Sequence, residues 1–165
     1  MVKFEVKSLQ QQVCWFFIGQ TNVQLTQQAE YFHADITGSQ EAPTPVLTTP
    51  FEGYADISFD YSTNEMKYSI HHDLDEATAV HIHAPARPGA TSDPIFILDT
   101  DNSISGTQRL TEEHAIHLRS GLMYINIHSE AHPDGEIRGQ VLVDADGSSE
   151  GGEYTFRLNR SLFHM

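Results

Sequence analysis

Ten histidines in 165 residues are the first sign of chemistry in this chain, and their spacing is more telling than their number. In Ala79-Val80-His81-Ile82-His83, a strand would alternate its side chains between two faces, with Val80 and Ile82 on one and His81 and His83 on the other. A rise of ~3.3 Å per residue puts those two imidazoles about 6–7 Å apart on the same face. Leu122 to His128 alternates in the same way: Met123, Ile125 and Ile127 share one face, and Tyr124, Asn126 and His128 the other. In Glu136-Ile137-Arg138-Gly139-Gln140-Val141 the apolar positions again alternate with polar ones. If the three strands are neighbours in one sheet, His81, His83, His128, Glu136 and Arg138 converge.

Two imidazoles on one strand and a third on the next form a three-ligand set. Imidazole suits copper, zinc, nickel and iron(II), and three histidines with an open position make a reactive geometry, whereas a closed structural site wants four ligands. His132, four residues past His128 in the loop SEAHPDG, is the candidate fourth ligand. Asn126 and Glu136 are candidates for orienting the ligand rings from behind, and His71 has the parity of the polar face on its own strand. Arg138 argues the other way. A guanidinium beside the site repels a cation unless Glu136 or Asp134 pairs with it; otherwise the same face suits an anion or a sugar. The competing reading is a hydrogen-bonded polar network that holds the fold and binds no metal.

The elements that would position these residues are short strands. Alternation runs through Tyr31 to Thr37, Tyr54 to Asp60, Met66 to Ile70, Ala79 to His83, Ile95 to Leu98, Leu122 to His128 and Ile137 to Val143, with Gly, Pro, Asp and Asn between. That is the pattern of an all-β sandwich or barrel. One helix is expected over 111–119, with Thr111 as N-cap, Glu112 and Glu113 in the first turn and Gly121 past the end. His114 and His117 share a face of that helix, which reads as a solvated surface, and His33 reads as exposed.

Composition removes several function classes. Nine Lys+Arg against 23 Asp+Glu give a net charge of −14, which repels phosphate backbones and anionic lipid. Cys14 is the single cysteine, so neither an internal disulfide nor a multi-cysteine zinc site can form, and its apolar setting marks an inert thiol. The longest apolar run, Val13 to Gly19, is far short of a membrane span. It also reads poorly as a signal peptide: Glu5 interrupts the basic residues Lys3 and Lys7, and three glutamines precede the run. There is no G-x-S-x-G and no phosphate-binding G-x-x-x-x-G-K-[ST]. The acid pairs Asp73/Asp75, Asp99/Asp101 and Asp144/Asp146 sit in turns without EF-hand spacing.

Particular segments also match a known pattern. ADITGSQEAPTP, the strand Gly53-Tyr54-Ala55, Met66 to Ile70, ATAVHIHAP, GLMYINIH and HPDGEIRGQV follow in order from Phe32 to Val143. Together they resemble the CHRD domain, first described in chordin and widespread in bacteria. The resemblance implies an antiparallel Greek-key β-sandwich or barrel, immunoglobulin-like or similar to copper-zinc superoxide dismutase in architecture. It also implies an extracellular, periplasmic or surface setting. The likeness of the His-x-His strand to that enzyme's copper strand is one of motif and architecture only.

The chain therefore divides into an N-terminal arm over 1–30, a CHRD-like domain over 31–143 and an acidic linker with a final strand or tail over 144–165. The arm is neutral and holds seven Gln, so the whole −14 lies beyond it. Its alternating stretches, Val2 to Val6 and Asn22 to Thr26, flank the apolar run and need an edge to pair with. They fold back on their own domain or add to another subunit or protein partner. The expected function is non-catalytic metal binding, copper preferred and zinc second, through His81, His83, His128 and His132. The alternative is a metal-free structural module of a larger assembly such as a surface layer or virion.

Overall fold

The computed structural model describes residues 16–18, 21–23 and 29–144. Strands β1 (Phe16–Ile18) and β2 (Thr21–Val23) form an antiparallel hairpin. Phe16–Ile18, within the apolar run, is thus a strand, paired with residues that include Asn22 and Val23 of the stretch expected over 22–26. The expected strand at Val2 to Val6 and the tail beyond 144 lie outside the described residues.

The remaining strands form one antiparallel sheet. They are β3 (Glu30–Thr37), β4 (Glu52–Asp60), β5 (Glu65–His72), β6 (Ala79–His83), β7 (Pro94–Leu98), β8 (Ser103–Arg109), β9 (Tyr124–His128), β10 (Ile137–Gln140) and β11 (Leu142–Val143). The sheet order is β7-β6-β9-β10-β3-β4-β5-β8, with β11 also on β3. β3, β4 and β5 run as a meander, and β10 returns beside β3, which is the Greek-key order. Apolar side chains from one face of nearly every strand meet in a single core that includes Phe32, Ile57, Phe59, Met66, Ile70, Ile82, Ile125 and Ile137. One sheet can enclose one core only by curling over on itself, so the molecule is a nearly closed all-β barrel or sandwich.

The one long helix among the described residues, α1 (Glu112–Arg119), begins as its sequence requires: the Thr111 hydroxyl accepts from the His114 backbone N–H at 3.1 Å. No described helix is long and apolar enough to cross a membrane. Strand β8 escaped the alternation pattern. Its sequence SISGTQR offers Ile104 as its one buried apolar side chain, and it is a strand because β5 supplies backbone partners from Glu65↔Arg109 to His71↔Ser103.

Candidate metal centre

Strand order brings the three polar faces together. β9 lies between β6 and β10. On one side His83 pairs with Tyr124, His81 with Asn126 and Ala79 with His128. On the other, Gln140 pairs with Tyr124 and Arg138 with Asn126. Directly paired residues share a face. The result is a polar sheet surface whose reverse side presents Val80, Ile82, Ile125, Ile127 and Ile137 to the core.

This polar face is covered. His83, Asn126, His128, Glu136, Arg138 and Gln140 are all buried, together with Glu41 and Ser129 from the loops above. Burial dictates the hydrogen bonding. His83 Nδ1 donates to the Ser92 carbonyl at 2.8 Å, and His128 Nδ1 donates to the Pro133 carbonyl at 3.0 Å. A carbonyl can only accept, so each Nδ1 carries the proton and each Nε2 keeps a free lone pair. Both Nε2 atoms are buried with no hydrogen-bond partner. His81, half-buried, joins them: its ring centroid is 5.5 Å from that of His83 and 4.9 Å from that of His128. One nitrogen from each of the three rings lies within 4.8 Å of the others.

Metal–nitrogen bonds of ~2.0–2.1 Å place tetrahedral ligand atoms about 3.3 Å apart. The set is therefore somewhat wider than a closed coordination sphere, and binding would require a ring to rotate inward; no hydrogen bond to a described residue holds His81. Electrostatics disfavour the charged form of His81 and His83. Burial lowers the pKa of His83, opposed by its bond to Ser92 and reinforced by His81, His128 and Arg138. Burial and then the neighbouring His128 lower that of His81. Neutral imidazole is the ligand form.

Arg138 acts on His83 through its charge, with an aromatic ring placed between the two. Its guanidinium sits 4.0 Å over the Tyr124 ring. His83 stacks on that ring at 4.6 Å with 10° between planes. The two come from strands on opposite flanks of β9, so the tyrosine stands between them. Arg138 donates to Gln140 Oε1 at 2.9 Å and to the carbonyls of Gln40, Arg87 and Ala90. The expected pairing with Glu136 or Asp134 gives way to a different arrangement. Glu136 accepts from the hydroxyls of Thr49 and Ser129, and the carboxylate that acts on Arg138 is Glu41.

Two further expectations are corrected. His132 is not in the three-histidine set. The loop bends so that its carbonyl accepts from Ser129 and Gly135 and its ring acts on Glu41. His71 belongs to a different surface. Its nitrogens bond the hydroxyls of Ser69 and Ser103, and its ring stacks on Tyr54 at 5.0 Å. Parity was correct for its strand, but β5 is four places from β9 along the sheet.

Sequence reasoning missed Glu41, Tyr124 as the stacking partner of His83, and the Ser92 and Pro133 carbonyls. Glu41 stands within the segment ADITGSQEAPTP, where an acid beside two prolines marks a rigid loop but not its destination. The carbonyls leave no trace in residue type. A family model described as CHRD domain matches residues 32–141. No curated protein and no solved structure matches the chain.

Proposed function

We propose that this chain, which belongs to the CHRD domain family, is a non-catalytic metal-binding protein whose centre is formed by His81, His83 and His128, with copper preferred and zinc second. The observation that carries the reading is the pair of buried, partnerless Nε2 atoms on His83 and His128, each fixed by a carbonyl on the opposite nitrogen. Donation of the second ring nitrogen to a backbone carbonyl is the usual support of a ligand histidine. A buried lone pair without a partner is costly unless something fills the space. Copper comes first because an all-nitrogen site follows the order in which copper outranks zinc. Water or a small exogenous ligand takes the remaining position.

Isothermal titration with Cu(II) and then Zn(II) tests this on protein purified without a histidine tag. Wild type takes up one equivalent, and His81→Ala/His83→Ala loses that saturable binding. Equal binding by both proteins overturns the reading. A second reading has its own observation: Arg138 and Gln140 tie several loops to β10 through buried hydrogen bonds, as a purely structural network would. Under it, wild type carries no metal and its melting temperature ignores chelators. We further propose that residues 1–30 mediate self-association or pairing with a protein partner. Removing them would then dissociate the assembly in size-exclusion chromatography with light scattering, and a full-length monomer would refute it.

A further inference from the structure

The three histidines are held unequally. His83 and His128 are 7 % and 9 % exposed, and each ring is pinned through Nδ1 by a backbone carbonyl, that of Ser92 or of Pro133. Turning either ring away would break that bond and leave both groups unpaired in a buried place, which is costly. His81 is half-buried, and its ring contacts among the described residues are with the other two histidines. No carbonyl or side chain among the described residues fixes its direction.

His81 also stands on the open flank of the face. It pairs with Asn126 on β9 and with Ile97 on β7. β7 ends the sheet order, with β6 as its one strand partner among the described residues. Directly paired residues share a face, so Ile97 lies beside His81 on the histidine side, and it is 77 % exposed. The opposite flank is closed, since Arg138 and Gln140 of β10 are buried. Charge points the same way. Arg138 carries its positive charge on the β10 flank. Asp93 and Asp99, both exposed, stand immediately before and after β7. A dication therefore meets repulsion on the β10 flank and attraction on the β7 flank.

We propose that the centre is a transfer site: it exchanges its ion with an external nitrogen ligand by way of His81, which swings out over the β7 edge while His83 and His128 stay in place. This inference rests on the three-histidine metal reading. In each exchange a lone pair of the incoming nitrogen binds the ion as the bond to His81 breaks. No electron is transferred, and the oxidation state of the ion is unchanged. A structural ion would instead be enclosed by four protein ligands. Ile97 borders the space into which His81 turns, so it sets the rate of exchange without touching the ion.

The test mixes the full chain loaded with Cu(II) with excess free histidine in a stopped-flow spectrometer and follows visible absorption. Uptake is measured separately from Cu(II) buffered with glycine. The removal rate rises in proportion to histidine concentration, because the incoming ligand takes part in the step. Ile97→Trp fills the space beside His81 and slows uptake and removal alike by about tenfold, equivalent to ~1.4 kcal/mol on one barrier, with affinity unchanged. Ile97→Ala speeds both. Leu142→Trp, at an exposed position on β11, changes neither. Removal that ignores histidine concentration overturns the transfer reading and leaves the metal centre standing. So do Ile97 variants with wild-type rates, or with only one of the two rates altered, or a Leu142→Trp that slows exchange equally. Failure of wild type to take up Cu(II) refutes the metal reading and this inference with it.

Discussion

Replacing Arg138 with alanine should be among the most damaging single changes in the domain. The side chain is 1 % exposed. It makes two short hydrogen bonds, to Gln40 O at 3.0 Å and Gln140 Oε1 at 2.9 Å, and two longer ones to the carbonyls of Arg87 and Ala90. Hydrogen bonds from a charged donor contribute about 1.5–3 kcal/mol each, and a desolvated cation over an aromatic ring adds roughly 2 kcal/mol. The cost of burying the guanidinium offsets much of that sum. Removing one partner from such a buried ionic network typically costs about 3–5 kcal/mol, because the groups left behind stay desolvated and unpaired. We expect about 4 kcal/mol, a large share of the 5–15 kcal/mol or so that stabilises an ordinary domain. In urea, with a slope of about 2 kcal/mol/M, the midpoint falls by roughly 2 M at unchanged slope. Arg138→Lys keeps the charge but cannot span the same acceptors or stack flat on Tyr124, so it should lose more than half as much. A loss below about 1 kcal/mol for Arg138→Ala would refute the account, since it would mean the buried network contributes nothing net.

Gly135→Ala should destabilise by about 2–3 kcal/mol and lower the melting temperature, because φ is +130° and the new Cβ meets Glu41 and Asn126 at 2.6 Å; a melting point equal to wild type would show that the loop relaxes freely. Stability of the metal-free chain should fall as pH drops below about 6.5. Burial holds His72, like His81 and His83, below its ordinary pKa. The unfolded chain therefore takes up protons that the folded chain refuses, and stability present above the unfolded value is lost on the way down to the folded one. His72→Leu should flatten part of that slope in melting curves taken from pH 8 to 5. His33 works in the opposite sense: burial lowers its pKa, but bonds to Asp56 and Asp35 outweigh this and raise it. Its contribution is full below the unfolded value and is lost as pH rises through the folded one, so His33→Ala should cost stability at and below about pH 6.5 and flatten the fall in stability above it.

Alternation was enough to read the arrangement of the candidate centre, because parity is a local property that survives any choice of partners. Val80/His81 and Ile127/His128 each had to split between faces, and a sheet with a core on one side left the histidines together on the other. Neighbourhood was the missing quantity. His71 and His128 have equivalent parity, yet sheet order separates them, and nothing in the sequence of β5 encodes its distance from β9. Arg138 does disfavour a positive charge at His83, as its own charge requires; the Tyr124 ring between the two depends on β9 having neighbours on both flanks, which charge alone does not reveal. Strand β8 was invisible because pairing, rather than its own side chains, makes it a strand. Glu41 and the carbonyls of Ser92 and Pro133 arrive from loops distant in sequence, where no periodicity operates.

Two adjacent polar positions on β10 have a consequence for where such a fold can persist. Arg138 holds the main chain at 40, 87 and 90, and Gln140 Nε2 holds it at 86, 121 and 123. These are long-range cross-links between loops, the task that small secreted domains commonly give to cystines. Cys14 is the one sulfhydryl in these 165 residues, so loop closure is carried by amide and guanidinium groups, which neither thiols nor oxidants exchange. The loops are fastened equally well at any thiol–disulfide potential, and the covering of the histidine face does not depend on the redox state of its surroundings.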